Sequence, residues 1–238
     1  MPAATLADVL TADDEIDWAP RRIAIAGVTG AGKTTLARRI ASATGIAYTE
    51  VDSLFHGPLW QPLDTFEDEV RALVARPAWV AEWQYAQGRP LIAARADTLV
   101  WLDLPSRVTL SRVVRRTIRR RIHRERLWND NLEPPLHTFF VDPDHIVRWA
   151  IRTQRKLVTR VPETEAAHPQ LHVVRLRSQR EVDRWLAALV AASADQPGAS
   201  EPSAATSSPS GPNANMPSAA SAADSADVVR RQADGPSA

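Results

Sequence analysis

Runs of apolar residues alternate with amphipathic stretches through the middle of the chain. Apolar, β-prone runs cover residues 23–26, 46–51, 78–82, 98–102 and 171–176. Stretches with helical spacing cover about 33–44, 65–76, 90–95, 105–122, 143–161 and 181–192. Strands that are apolar throughout and alternate with helices are typical of a parallel sheet covered on both faces. The pattern predicts a three-layer α/β fold with five parallel strands.

The two ends of the chain differ from this pattern. Residues 1–20 are acidic and end in Trp-Ala-Pro, and we interpret them as an N-terminal arm. Residues 193–238 are mostly Ala, Ser, Pro, Asp and Gly. A segment of that composition cannot bury enough apolar surface to offset the entropy of ordering, which predicts a disordered tail. The predicted domain therefore covers residues 21–192.

The segment Gly27–Thr34 reads Gly-Val-Thr-Gly-Ala-Gly-Lys-Thr, with a predicted strand before it and a predicted helix after it. Its glycines let the backbone curl and present N–H groups to phosphate oxygens. Lys33 can reach the β- and γ-phosphates, and the Thr34 hydroxyl can ligate Mg²⁺. This phosphate-binding loop predicts a nucleotide site, whose expected members are Gly27, Thr29, Gly30, Ala31, Gly32, Lys33, Thr34 and Thr35.

Composition excludes several other classes of site. The chain has no cysteine, so disulfides, thiolate zinc sites and a cysteine nucleophile are excluded. No apolar run approaches the roughly 18 residues of a membrane span, and the N-terminus is acidic where a signal peptide is basic. We therefore expect a cytoplasmic protein without membrane contact. Lys+Arg number 29 against 28 Asp+Glu, so the net charge does not indicate a nucleic-acid partner.

Carboxylates follow three of the predicted strands. Ligands of parallel sheets bind beyond the carboxyl ends of the strands, which makes Asp52, Glu82 and Asp103 candidates. We interpret Asp52 as a substrate or metal-shell carboxylate and Glu82 as the acidic residue on the metal side. Asp103 ends a run that resembles a Walker-B strand, although an acidic residue there is also typical of a turn. Whether Glu82 or Asp103 serves Mg²⁺ stays open.

The predicted helix after Pro105 has two faces. Leu110, Val114, Ile118 and Ile122 recur every four residues and predict a buried stripe. The other side carries arginines, namely Arg112, Arg115, Arg116 and Arg119. Three interpretations remain: a solvated face, a clamp on phosphates above the loop, or a nucleic-acid strip. The last lacks interleaved aromatic residues, so nucleic acid is an unlikely partner.

Several aromatic residues fall near the strand ends where an acceptor would bind. They are Phe55, Trp60, Trp83 and Tyr85, with His56 among them. Each is compatible with ordinary core packing. Together they are also compatible with a pocket for a ring-bearing or hydroxylated acceptor.

Several segments together resemble a known family. The loop at 27–34, Asp-Ser-Leu-Phe-His at 52–56, Trp-Val-Ala-Glu-Trp-Gln-Tyr at 79–85 and the run at 95–105 are similar to adenylate-kinase-like P-loop kinases often labelled topology modulation protein. Segments 124–133 and 146–150 are similar too. The resemblance spans about residues 21–192. Where many relatives have Asp-Gly-Asn-Tyr, this chain has Glu82-Trp-Gln-Tyr85.

The resemblance implies the nucleoside-monophosphate-kinase fold, with strand order 2-3-1-4-5 and an arginine-rich lid at about 119–142. It also implies that Arg115 and Arg119 flank the adenine or the phosphates. The lid arginines would be Arg121, Arg124 and Arg126.

These observations predict a phosphotransferase that uses ATP and Mg²⁺ and acts on a small molecule, either nucleotide-like or hydroxyl-bearing. The expected catalytic residues are Lys33, Asp52, Glu82, Arg121 and Arg124, with Thr34 and Glu82 serving the metal directly or through water. We expect a monomer or weak homodimer. The alternative is an ATP-binding regulatory or nucleic-acid-associated protein with slow hydrolysis.

Overall fold

The computed structural model describes residues 9–57, 61–123 and 146–194, without the side chains of 117, 118, 120–123 and 146–155. The strands are β1 (Arg22–Gly27), β2 (Tyr48–Thr49), β3 (Trp79–Glu82), β4 (Thr98–Leu102) and β5 (His172–Leu176). The helices are α1 (Lys33–Thr44), α2 (Val51–Phe55), α3 (Phe66–Val74), α4 (Gly88–Ala93), α5 (Ser106–His123), α6 (Ile146–Ala167) and α7 (Gln179–Ala194).

The five strands form one parallel sheet in the order β2-β3-β1-β4-β5. The predicted fold class and strand order are thus confirmed. In the register of the central strands, Ile25 lies beside Glu82 and Gly27 beside Leu102. Because all strands run the same way, the segments that follow β1, β2 and β3 meet at one edge of the sheet.

The hydrophobic core lies on both faces of this sheet. Every residue of β3 and β4 is buried, and Trp79, Trp101 and Trp185 are the largest fully buried side chains. α1 packs against β1, β2, β3 and α7, while α5 packs against α6. Burial on both faces is the reason why the strands are continuous apolar runs in the sequence.

Two glycines in left-handed backbone conformation bound α1. Gly32 precedes the helix with φ 101°, and Gly45 follows it with φ 74°. The N–H of Gly45 donates to the carbonyl of Ala41, which closes the last turn. The predicted helix at 33–44 is confirmed residue for residue, since both of its boundaries depend on local backbone chemistry.

The segment after β2 differs from the prediction. The strand expected at 46–51 is only two residues long, and part of the loop expected at 53–63 forms α2. Val51 and Phe55, one helical turn apart, are both fully buried against the core. Burial of this i, i+4 pair favours a helical turn over a longer edge strand, and it places Asp52 on a helix.

The helices differ at their ends. Thr65 precedes α3 and makes no side-chain cap hydrogen bond. At the start of α7 the Ser178 hydroxyl accepts from the N–H of Glu181, whose carboxylate accepts from the N–H of Arg177. The helix expected to end near residue 161 continues through Pro162 to Ala167.

The buried face of α5 is rotated by one position from the predicted stripe. Thr109 and Val113 are buried, whereas Leu110 and Val114 are only half-buried. The reason is close contact with the loop after β1: a Cβ on Gly30 would lie 2.4 Å from the carbonyl oxygen of Thr109 and 2.6 Å from Cγ2 of Val113. Packing against this loop, not hydrophobic periodicity, decides the orientation of the helix.

The N-terminal arm packs along the free edge of β5. Leu10 pairs in parallel with Val174, through hydrogen bonds from Leu10 N to Val173 O and from Arg175 N to Leu10 O. The indole of Trp18 stacks on His172 with ring centroids 4.1 Å apart and donates to the Thr98 hydroxyl. The tail predicted at 193–238 lies outside the described residues beyond Ala194.

Candidate functional site

The loop between β1 and α1 has the backbone shape that its sequence predicts. Gly30 and Gly32 have φ 81° and 101°, values that side-chain-bearing residues rarely adopt. A hydrogen bond from Ala31 N to Val28 O closes the turn between them. Gly27 ends β1, Thr29 lies in the loop, and Lys33, Thr34 and Thr35 form the first turn of α1. The structure thus places the eight loop residues of the predicted nucleotide site, 27 and 29–35, in one strand–loop–helix unit, whereas Arg115 and Arg119 lie on α5.

The N-terminus of α1 is open to an anion. The first backbone hydrogen bond runs from Leu36 N to Gly32 O, so the preceding N–H groups have no intrahelical acceptor. No side chain caps this end, and its first turn holds no acidic residue. Acidic residues usually favour this position, because they interact well with the positive end of the helix dipole. Their absence leaves the amides and the dipole for a phosphate.

Glu82 lies beside the first turn of α1. Its Oε1 accepts hydrogen bonds from the Thr34 hydroxyl at 2.6 Å and from the Tyr48 hydroxyl at 3.1 Å. The carboxylate is buried, and Oε2 accepts no hydrogen bond from the described residues. Of the two metal-side candidates, Glu82 is the one in direct contact with Thr34.

Tyr48 holds Glu82 from β2. Burial, followed by the charges of Glu82 and Glu50, raises the pKa of Tyr48 well above its ordinary value. The phenol therefore stays protonated and remains a hydrogen-bond donor to Glu82 over the whole physiological pH range. The sequence placed Tyr48 in a strand but carried no signal for this contact, which depends on the pairing of β2 with β3.

Asp52 lies at the next strand end and is held by two neutral donors. Its Oδ1 accepts from the Gln84 amide at 2.5 Å and from the Tyr85 hydroxyl at 2.5 Å. Burial raises the pKa of Asp52, against the lowering effects of the Tyr85 hydrogen bond and the nearby Lys33 ammonium. Oδ2 accepts no hydrogen bond from the residues that the structure describes. Asp52 thus keeps one free acceptor on the same edge as Lys33.

Tyr85 has a strained backbone, with φ 61° in a residue other than glycine. Its ring stacks on Phe55 at 3.9 Å between centroids, and its hydroxyl contacts Asp52 and His56 Nε2. Burial and the charge of Asp52 raise the pKa of Tyr85, so it too stays a donor. Strain of this kind persists where surrounding contacts determine the conformation, and it is common at functional sites.

Asp103 has a different environment. Its carboxylate forms an ion pair with Arg175 of β5, and its N–H donates to the Leu176 carbonyl. The Arg175 guanidinium also lies over the Trp101 ring at 4.5 Å. These contacts occupy Asp103 at the β4–β5 side of the edge, which agrees with the turn interpretation of this residue.

The arginine that contacts the loop is Arg112, which the sequence placed on the polar face of the helix without a specific role. Its guanidinium donates to the Ala31 carbonyl at 3.2 Å and to Gln179 Oε1 at 2.9 Å. Arg115 and Arg119 are exposed. Arg121 lies in α5 with an undescribed side chain, and Arg124, Arg126 and the lid segment 124–142 lie outside the described residues. The sequence could have singled out Arg112 by its position, since it lies three residues after Thr109 and directly before Val113, the two residues of α5 that contact the loop.

Two further features of the described chain bear on the site. Its His, Asp and Glu side chains nowhere form a group of three that could hold a metal ion. None of the described helices has both the length and the apolar character needed to cross a membrane.

Three solved structures to which this chain is similar are kinases. Shikimate kinase from Acinetobacter baumannii in complex with shikimate is 19% identical over 75% of this chain and 96% of its own, with a TM-score of 0.45. A gluconokinase from Sinorhizobium meliloti 1021 is 17% identical over 74% and 95%, with a TM-score of 0.43. A sugar kinase from Janibacter sp. HTCC2649 is 20% identical over 61% and 98%, with a TM-score of 0.31. Likeness at this level concerns the fold and says nothing about a substrate.

No protein-family model and no curated protein sequence matches this chain.

Proposed function

We propose that this protein is a phosphotransferase that uses Mg²⁺ and ATP and acts on a small-molecule acceptor. One observation carries the proposal. Glu82 is hydrogen-bonded to the loop threonine, Thr34, while a second carboxylate, Asp52, is held at the neighbouring strand end with one oxygen free of hydrogen bonds from the described residues. A donor phosphate held by the loop would thus have a metal-side carboxylate and an acceptor-side carboxylate at the same edge of the sheet.

On the donor side, the loop amides and the N-terminus of α1 would bind phosphate oxygens, and Lys33 would neutralise charge on the β- and γ-phosphates. Arg112 contacts the Ala31 carbonyl and Gln179 at once. From that position it would contact the nucleotide where it leaves the loop. Arginine suits this role, since its planar fork binds phosphate oxygens and stacks on rings.

The residues around Thr34 fit a magnesium ion. Thr34 Oγ1 and the unbonded Oε2 of Glu82 would hold it, the latter directly or through water. When bound, Mg²⁺ supplies positive charge that neutralises the phosphates as phosphoryl transfer proceeds. Tyr48 keeps Glu82 oriented for this task through its bond to Oε1.

On the acceptor side, Asp52 would orient the acceptor group and accept its proton at Oδ2. The two bonds to Oδ1 fix the carboxylate in place. Burial raises its pKa, which makes it a stronger base than an exposed aspartate. Catalysis would consist of positioning and charge neutralisation, without a covalent intermediate on the protein.

The proposal is tested by transfer of label from γ-labelled ATP, with Lys33→Ala as the diagnostic variant. Transfer is expected to fall by about a hundredfold or more, because an interaction with developing transition-state charge is lost. The acceptor panel should contain nucleoside monophosphates, nucleosides, sugars and small alcohols, beside a water-only reaction.

Lys156→Ala is the matched control, since Lys156 is the other lysine of the chain and lies on α6. It should keep full activity. A folded Lys33→Ala protein that retains turnover would contradict the proposal. Release of labelled phosphate to water alone, with every acceptor present, would instead support the alternative of a regulatory ATPase.

A further inference from the structure

The described acceptor side of the site offers hydrogen-bond acceptors and no free donor from Gln84 or Tyr85 to a ligand at Asp52. Asp52 Oδ1 takes both available donors, the Gln84 amide and the Tyr85 hydroxyl. Within the described chain, Asp52 Oδ2 and Gln84 Oε1 receive no donor. The groups left to contact an incoming molecule at this point are therefore oxygens that accept hydrogen bonds.

The orientation of Gln84 follows from chemistry. An ionised carboxylate only accepts hydrogen bonds, so the amide nitrogen of Gln84 must face Asp52 and its carbonyl oxygen must face away. The Tyr85 hydroxyl has one proton, and it is directed at the same carboxylate. A ligand at this point must therefore bring its own donors. A hydroxyl group has one, whereas a phosphate dianion has none.

The charges around Asp52 and Glu82 also disfavour a phosphate at this point. Neutral residues are the hydrogen-bond partners of both Asp52 and Glu82 in the described part of the chain, so neither carboxylate is paired with an arginine or lysine. Among the described residues, Lys33 is the one cation whose charge acts on Asp52, and the donor phosphate would use it. Glu50 adds a further negative charge, which raises the pKa of Asp52.

Three arginines on the neighbouring helices are engaged elsewhere. Arg38 of α1 pairs with Glu50 at 3.5 Å. Arg71 of α3 binds two acidic residues of its own helix, Glu67 and Asp68. Arg89 of α4 lies over the Trp83 ring at 5.9 Å. Arginine forks are the usual groups that recognise phosphate in two-point fashion, and the described acceptor side presents none to Asp52.

We propose that the acceptor is an uncharged compound that presents a hydroxyl group to Asp52 Oδ2 and Gln84 Oε1, and that this site rejects nucleoside monophosphates. The inference rests on the proposed phosphotransferase function and narrows its acceptor. In the reaction, the hydroxyl oxygen forms a bond to the γ-phosphorus, the bond from that phosphorus to the β–γ bridging oxygen breaks, and ADP leaves. The hydroxyl proton passes to Asp52 Oδ2.

A binding comparison on the full chain tests this without knowledge of the acceptor. The probes are ATP and diadenosine pentaphosphate, in which donor and acceptor nucleotides are joined by five phosphates, each titrated calorimetrically with Mg²⁺ present. An enzyme with a nucleoside-monophosphate site would bind the joined probe about a hundredfold or more tighter than ATP, because both halves bind together. We expect the two affinities to agree within about threefold, since only one half engages.

The outcomes separate the two proposals. Tight binding of the joined probe, or labelled transfer to any nucleoside monophosphate, would overturn the inference and leave the phosphotransferase function standing. Failure to bind ATP would overturn both. Transfer to an uncharged hydroxyl compound, with similar affinities for ATP and the joined probe, would support both.

Asp52→Asn adds a second readout. Removal of the carboxylate should tighten binding of diadenosine pentaphosphate by about fivefold or more relative to ATP, as like-charge repulsion with the acceptor half is relieved. Asp68→Asn is the matched control, because it removes the same charge from an exposed position on α3. Unchanged or weaker binding of the joined probe by a folded Asp52→Asn protein would contradict the inference; ATP affinity reports the fold.

Discussion

Glu82 and Asp52 are held by the same kind of hydrogen bonding at neighbouring strand ends. Each is bound through one carboxylate oxygen by two neutral donors, Thr34 and Tyr48 for Glu82, Gln84 and Tyr85 for Asp52. Neutral donors hold a carboxylate in place without cancelling its charge. Both carboxylates therefore stay available to a cation or a hydroxyl, at the expense of fold stability.

At the scale of single residues, we predict that Asp52→Asn raises the melting temperature of the protein at pH 7. Burial raises the folded-state pKa of Asp52 above the value of 3.8 for a free aspartate, so the folded protein binds an extra proton between the two pKa values. Its unfolding free energy then falls as pH rises through that window, so the charged carboxylate destabilises the fold on the high-pH side of the window. Asparagine carries no such charge and can still accept both donors.

Thermal unfolding of both proteins at several pH values measures this effect. The gain should be largest near neutral pH and shrink as pH falls toward the value of a free aspartate. The exposed substitution Asp68→Asn is the control for the loss of one carboxylate from the surface. A lower or equal melting temperature for Asp52→Asn at pH 7 would contradict the expected sign.

At the scale of elements, the contact between α5 and the loop after β1 holds the predicted nucleotide-binding loop in place. Gly30 lies directly against Thr109 and Val113, and Arg112 between them reaches the Ala31 carbonyl. The loop and the helix therefore form one packed unit. The hydrophobic pattern placed the buried stripe one residue away, because Leu110 and Val114 define the periodicity while Thr109 and Val113 make the close approach.

We predict that Gly30→Ala destabilises the fold by about 3 kcal/mol or more, since it adds both left-handed strain and a clash with backbone. Gly45→Ala is the matched control. Gly45 has φ 74°, like Gly30 at 81°, but a Cβ there meets no atom within 4 Å. It should cost only about 1 kcal/mol, the strain alone.

Urea unfolding gives the two free energies, and ATP titration gives the functional effect. Gly30→Ala should also weaken ATP binding, whereas Gly45→Ala should not. Equal losses of stability in the two variants would show that the packing of α5 against the loop contributes nothing.

For the whole molecule, the sheet has one long edge strand that the arm protects. β5 would otherwise expose unpaired backbone groups, and Leu10 pairs with it through two hydrogen bonds. Trp18 then crosses to β4 and β5, where it stacks on His172 and donates to Thr98. A separate ion pair joins Asp13 to Arg184 of α7.

We predict that Trp18→Ala lowers the unfolding free energy by about 2 kcal/mol, as expected for a half-buried tryptophan that loses stacking and a hydrogen bond. Trp18→Phe should lose less, because its ring can still stack although it cannot donate to Thr98. Denaturant unfolding measures both. Wild-type stability in Trp18→Ala would mean that the arm does not hold the edge.

The sequence by itself determined the features that depend on local chemistry. The phosphate-binding loop and the ends of α1 depend on glycine conformations and short-range hydrogen bonds, and both were predictable. The five apolar runs likewise predicted the strands of a buried parallel sheet, because burial on both faces leaves continuous hydrophobic stretches.

Tertiary structure alone decided which polar groups meet. Tyr48 reaches Glu82, Gln84 reaches Asp52, and Arg175 takes Asp103, through strand neighbours whose pairing no local pattern encodes. Residues far apart in the chain meet at one edge because parallel strands all end there. The physical reason is that a side chain's hydrogen-bond partner depends on sheet order and register, which are properties of the packed core.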